Sequence, residues 1–327
     1  MQNSQLKSKN ESLVIGKQLI KWLLESDVSI QYQVYRDLLN IEKPELQKRI
    51  AQEGWGARFL SLRKNNRHWG RGFYQPKWTS SHYTLLDLKN LSISPNIKEI
   101  KETIAKIISE HKEKDGGINP AVSTDKSDVC VNGMFLNYAS YFETPQQELK
   151  SIVDFIISQQ LPDGGFNCES NIIGAKHSSL HSTISLMEGI NEYAKNNYKY
   201  KMNALCKMEA EAMEFILQHR LFKSDKTGEL IDPKMLMLSW PSRWRYDILR
   251  ALDYFHYSGR KSDIRMDDAL SVLLKKQRKD GTWPLQAKHP GQTHFDMEIG
   301  GQPSKWNTLR ALRVLKHFDM IESNILI

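Results

Sequence analysis

Four positions carry side chains that could gather a metal ion. Asp128 and Cys130 stand two apart in Ser127-Asp-Val-Cys, His181 opens the run His-Ser-Thr-Ile-Ser, and His82 lies far upstream. Carboxylate, thiolate and imidazole make a mixed donor set suited to zinc. Three such ligands leave a fourth position for water or substrate, and His82 would close it. A second cluster, Trp240-Pro-Ser-Arg243-Trp244-Arg245, joins cations to aromatic faces. Arginines near a helix start suit an anion, and indoles suit an isoprenoid or a sugar face. Each position also has a plainer use: Asp128 as a helix cap, Cys130 as a small core residue, the histidines as hydrogen-bonded lining and Trp244 as a plug.

These residues gain meaning from the elements that would carry them. Six segments share one pattern, a Ser or Asp, one spacer, a site residue and then an apolar helical run. The site positions are Gln31, His82, Cys130, His181, Trp244 and Trp306, preceded two residues earlier by Ser29, Ser80, Asp128, Ser179, Ser242 and Ser304. An oxygen at that place can accept from an unpaired first-turn N–H, so each pattern reads as a helix start. The spacing predicts one set of helices over 29–40, 80–91, 128–141, 179–191, 242–256 and 304–317. Between them lie more charged helices with apolar residues three and four apart, such as 95–111, 144–160 and 263–277. Several stop at Asp-Gly, at 115–117, 163–165 and 280–281, where positive φ suits glycine. Alternation of an apolar helix with a charged one implies two concentric layers, and six units imply closure: an all-α (α/α)6 toroid, one domain over 1–327, with 1–11 as a flexible lead-in. The first-turn side chains of the inner set would then share one rim, the expected place for a ligand.

Here a resemblance enters. Gln277-Arg-Lys-Asp-Gly281-Thr-Trp283 matches the Q-x3-G-x-W repeat of squalene–hopene cyclases, and Gln160-Leu-Pro-Asp-Gly164-Gly-Phe166 is a close variant. Asp128-Val-Cys130 followed by His181 resembles the zinc site of protein prenyltransferase β-subunits. Membership of the terpenoid cyclase/prenyltransferase toroids would imply a hydrophobic or anionic small-molecule ligand, isoprenoid-like, at the rim. It would also imply a zinc-dependent transferase or a cyclase-related enzyme, with a protein partner possible. The Asp-x-Asp-Asp acid motif of the class II cyclases is absent. Two other uses of such a ring stay open, a non-catalytic toroid that binds a peptide or protein, and a carbohydrate-active toroid. The last works with positioned carboxylates; no pair stands out, although Asp87 and Asp247 point from inner-set helices.

Composition sets the outer bounds. No apolar run approaches a membrane span, and the first residues lack the pattern of a secretory signal. Three cysteines (Cys130, Cys168, Cys206) are too few for a disulfide framework and fit a reducing cytoplasm. The net charge of +8 comes from scattered lysines rather than a basic tract, which argues against nucleic-acid binding.

Overall fold

Apolar residues at helical spacing run through most of the chain, and the computed structural model, which describes residues 16–121 and 125–321, is built accordingly. The lead-in 1–11 lies outside the described residues. In chain order the first α-helices are α1 (Lys17–Leu24), α2 (Val28–Gln33, continued by a π-helical turn over Val34–Leu39), α3 (Pro44–Arg49), α4 (Gly54–Ser61) and α5 (Ser81–Asn90). Next come α6 (Lys98–His111), α7 (Val129–Tyr141), α8 (Gln146–Ser158), α9 (Ser170–Ile173) and α10 (Leu180–Lys195). The last are α11 (Met202–Gln218), α12 (Ile248–Tyr257), α13 (Asp267–Lys275) and α14 (Lys305–His317). Two short strands, Trp283–Pro284 and Pro303–Ser304, pair antiparallel ahead of α14.

Two burial patterns separate the layers. In α5, α7 and α14 nearly every residue is buried, from Ser81 to Leu88, Val129 to Ser140 and Trp306 to Leu315. In α6 the buried residues are Ile100, Thr103, Ile104, Ile107 and Ile108, a single stripe with solvent on the other side. The predicted inner spans 80–91, 128–141 and 304–317 and the predicted outer span 95–111 thus show the expected contrast. The arrangement is all-α and toroid-like, made of helical hairpins.

Polar side chains tie successive inner helices together. His82 Nδ1 lies 3.3 Å from the Tyr138 hydroxyl, joining α5 to α7. An added Cβ on Gly133 would meet Ser185 O at 2.8 Å, and one on Gly189 would meet Gly133 O at 2.3 Å and Asn137 N at 3.5 Å. These contacts advance in the same sense along both helices, so α7 and α10 run parallel with their backbones almost touching. Arg250 of α12 donates to Glu188 of α10 at 2.8 and 2.7 Å. Arg310 and Arg313 of α14 donate to Asp253 of α12 at 2.6–3.0 Å. Arg313 also donates to Gln33 Oε1 at 3.1 Å and Asp37 Oδ2 at 3.0 Å, and Gln33 Nε2 donates to Asn90 O at 2.9 Å. The last inner helix therefore meets the first.

The recurring glutamine, glycine and aromatic residues serve this architecture. Gln277 Nε2 donates to Gly281 O (3.2 Å), the Trp283 N–H to Thr308 Oγ1 (2.9 Å) and its indole N–H to Leu273 O (2.7 Å). In the earlier copy Gln160 donates to Gly164 O (2.8 Å) and the Phe166 N–H to Thr183 Oγ1 (3.0 Å). The motif stitches an outer helix, its turn and the next inner helix into one unit. It satisfies backbone groups that the turn would otherwise bury unpaired.

Helix starts differ from expectation in two repeats. Asp27, not Ser29, begins the first: its carboxylate accepts from the Ser29 N–H at 2.9 Å and the Trp55 N–H at 2.8 Å. In the fifth, Ser242 to Tyr246 are not helical. Asp247 is the cap, accepting from the Arg250 N–H at 2.9 Å and the Ser239 hydroxyl at 2.7 Å. A carboxylate is the stronger acceptor for unpaired helix N–H groups, and it displaces the start by five residues. Trp244 is thereby moved off the aligned rim position.

Candidate active site

Of the predicted metal ligands Asp128 and Cys130 meet, while His82 and His181 point to other partners. Asp128 spends its carboxylate on its own helix, accepting from the Val131 N–H at 2.9 Å. His181 turns away, its Nδ1 accepting from the Tyr246 N–H at 2.8 Å and its ring edge-on to Trp244 at 5.3 Å. His82 is fully buried against Phe73, Tyr74 and Tyr83, and burial holds it down to about 3, with Lys77 adding to the effect. Cys130 faces Cys168 and Ser182. Among the described residues no group of three or more His, Cys, Asp or Glu side chains is arranged to hold a metal ion. Asp128 is taken as a cap and His181 by the Tyr246 N–H, so the four candidate ligands are not gathered as one set in this arrangement.

The remaining candidates part company as well. Gln31 Nε2 donates to Ser26 O at 2.8 Å and closes the turn before α2. Trp306, 1% exposed, lies between Trp55 (6.1 Å) and Trp240 (4.4 Å) as the middle of an indole stack. Trp244 lies beneath Lys77 at 5.2 Å and Arg245 at 5.1 Å. Trp240 and Arg243 alone of the predicted ligand residues line the interior spaces of the ring.

The larger space, about 340 Å³, reaches from Trp240 and Arg243 to the last turns of α5, α7, α10 and α12. Its lining holds seven Arg and Lys side chains against three carboxylates. Glu188 is taken by Arg250, Glu192 by Lys89 (3.0 Å) and Asp253 by Arg310 and Arg313. Burial alone would raise Asp253, but the two guanidiniums hold it down to about 2. Arg36 pairs with Asp37 outside the lining. Lys195 and Arg243 have no carboxylate within ion-pair distance among the described residues, so the cavity carries a surplus of positive charge.

Arg243 is unusual on three counts. It is 6% exposed, its φ of 56° is a left-handed conformation rare for a side chain of this size, and its Nη1 has no hydrogen-bond partner. Its guanidinium lies 4.6 Å from the Trp78 ring centroid. Arg243 and Trp240 also line a second cleft, about 290 Å³, which includes Phe59, Trp78, Asp87, His289 and His294. The segment from Lys288 to Glu298 straps this cleft. Trp78 Nε1 donates to Pro290 O at 2.6 Å, His294 Nε2 lies 2.9 Å from Thr84 Oγ1, and Glu298 accepts from the Lys305 N–H at 2.7 Å.

Asp87, in the second turn of α5, is the chemically distinctive group here. It is 4% exposed and its Oδ1 has no partner in the protein. Burial pushes its carboxyl up to about 6, against the opposing pull of Arg243. Burial likewise keeps His289 and His294 neutral, each down to about 4, with nearby arginines reinforcing the shift. A carboxyl poised near neutrality beside an aromatic- and arginine-lined cleft can deliver a proton to a bound substrate. By contrast Asp247, the other acid noted in the sequence, is consumed as a cap. Sequence reading missed Asp253, Arg310 and Arg313. The available signal was two arginines, three apart, within the apolar run Leu309 to Leu315 of an inner helix.

No family model matches the sequence, and no curated protein matches it. Among solved structures the chain is similar to a glycosyl hydrolase family 88 protein from Bacteroides vulgatus. That alignment has a TM-score of 0.51 and 11% identity, covering 96% of this chain and 95% of that one. It is also similar to a polysaccharide lyase, at TM-score 0.47 and 12% identity over 89% of each chain, a likeness too slight to argue from. The resemblance to terpenoid cyclases and protein prenyltransferases is corrected: the structural likeness is to a glycosyl hydrolase family 88 protein, and the motifs that suggested the other family are hairpin stitching and a helix cap.

Proposed function

We propose that the chain is a carbohydrate-active enzyme that cleaves a glycosidic bond in an anionic saccharide, on a single-domain (α/α)6 toroid of six hairpins. The hydrogen bonds from Arg313 back to the first repeat support closure of the ring. The observation that carries the functional reading is Asp87, a buried and unpartnered carboxyl raised to about 6 at a cleft lined by Trp78, Trp240 and Arg243. In this role Asp87 donates its proton to the glycosidic oxygen as the C–O bond breaks, and a water oxygen bonds to the anomeric carbon and releases a proton; the donation is the task of a carboxylic acid with an elevated pKa. Arg243, with a spare Nη1, holds the substrate's carboxylate or sulfate. Trp240, stacked on Trp306, adds an apolar wall of the cleft against a pyranose ring. Asp253 is no second catalytic carboxylate, because Arg310 and Arg313 occupy its oxygens. The likeness to a glycosyl hydrolase fits this reading. No helix among the described residues is long and apolar enough to cross a bilayer.

The test is a panel of acidic and neutral oligosaccharides, scored for new reducing ends and for unsaturated products by ultraviolet absorbance. Cleavage of acidic members, at least tenfold faster than of neutral counterparts, is expected. Turnover of neutral members alone would remove the anion-binding role of Arg243. No cleavage across the panel would remove the enzyme reading.

A further inference from the structure

Cys130 and Cys168 come from different elements, the first turn of α7 and the loop that precedes α9, yet their thiols face one another. Ser182, in the first turn of α10, fixes both. Its hydroxyl accepts from the Cys168 N–H at 3.0 Å and lies 4.0 Å from Cys130 Sγ as donor. The loop itself is anchored beside α7: Asn171 Nδ2 donates to Ser127 O at 2.7 Å, and Lys126 Nζ donates to Asn171 O at 2.8 Å. Exposure is split between the partners. Cys130 is 8% exposed, whereas Cys168 is only half-buried. The third cysteine, Cys206, is exposed on outer helix α11 with neither thiol beside it.

We propose that Cys130 and Cys168 form a peroxide-oxidisable dithiol, with Cys168 the reacting thiol and Cys130 the resolving one. Cys168 sulfur attacks hydrogen peroxide; an S–O bond forms, the O–O bond breaks, and hydroxide leaves and is protonated to water. Cys130 sulfur then attacks the Cys168 sulfenic acid; the S–S bond forms, the S–O bond breaks, and a second water leaves with the Cys130 proton. Two thiols are oxidised and one peroxide is reduced to two waters. Attack begins at Cys168 because it is the more exposed of the two, whereas Cys130 is buried. The new bond staples the loop before α9 to the start of α7. In a reducing environment the pair returns to thiols, so the staple reports oxidant exposure.

The experiment uses the full chain, reduced, desalted, exposed to a slight excess of hydrogen peroxide and then alkylated under native-to-denaturing transfer. Alkylatable thiols are expected to fall from three to one, with a Cys130–Cys168 linked peptide seen by mass spectrometry and lost after dithiothreitol. Cys206→Ser should cross-link as the wild type does. Cys130→Ser should instead accumulate a sulfenic acid at Cys168, trapped by dimedone, which separates chemistry at Cys168 from a folding defect. Three alkylatable thiols after peroxide, oxidation confined to Cys206, or over-oxidation of Cys168 without the linked peptide would each overturn the proposal.

Discussion

Replacing Asp87 by asparagine is expected to cut glycan cleavage by about 10²–10⁴-fold, the contribution typical of a general acid, while making the protein more stable at neutral pH. The stability arm follows from burial. The carboxyl is raised from an ordinary 3.8 to about 6, roughly two pKa units, or about 3 kcal/mol at 1.36 kcal/mol per unit. A raised carboxyl binds its proton more tightly in the folded state. Its stabilising effect is therefore complete below pH 4 and is lost as pH climbs through about 6. Asparagine cannot ionise and escapes that loss. After allowing for its own unpaired polar group, Asp87→Asn should gain about 1–3 kcal/mol at pH 7.5 and nothing at pH 4. Urea unfolding of both proteins at the two pH values measures it. A variant less stable at pH 7.5 would mean that Asp87 has an ion-pair role instead. The pairing of lost activity with gained stability is what a strained, functional carboxyl produces and a structural one does not.

Gly189→Ala is the second large effect, and it falls on the fold. Alanine ordinarily gains about 1 kcal/mol over glycine inside a helix. Here its Cβ would sit 2.3 Å from the Gly133 carbonyl oxygen, a backbone atom that cannot rotate away. Overpacking typically costs about 1–3 kcal/mol and more where backbone must move, so a net loss of about 2–4 kcal/mol is expected. Gly72→Ala is the control, because an added Cβ there meets nothing within 4 Å, and it should stay within about 0.5 kcal/mol of wild type. Equal unfolding midpoints for the two variants would show that α7 and α10 can part cheaply.

The inner and outer helices were legible because burial leaves a period in the sequence: full burial in Val129–Ser140, one stripe in α6. Helix starts were less so. Serine and aspartate both cap, and nothing local says that Asp247 wins over Ser242 until the Ser239 hydroxyl is seen bonding to it. The site was partly visible. Trp240 and Arg243 stood out by residue type, whereas Asp87 read as an inner-helix acid to be satisfied by an ion pair; the sequence does not record that Arg243 leaves Asp87 unneutralised while Arg313 saturates Asp253, since these partners lie in different repeats. The four candidate zinc ligands stay apart as a set for a related reason. Equivalent positions in successive repeats bring side chains to one rim, but their direction depends on local partners such as the Tyr246 N–H that turns His181 aside.

The pH dependence of kcat/KM on the acidic oligosaccharide cleaved fastest tests the central claim most directly. If Asp87 must be protonated to work, kcat/KM falls about tenfold per pH unit above the carboxyl's value near 6. Arg243→Met, by removing the charge that draws the carboxyl down, should move that descending limb to higher pH even as binding weakens. A profile that rises through pH 6, or one that stays flat to pH 8 in both proteins, would contradict Asp87 as the proton donor.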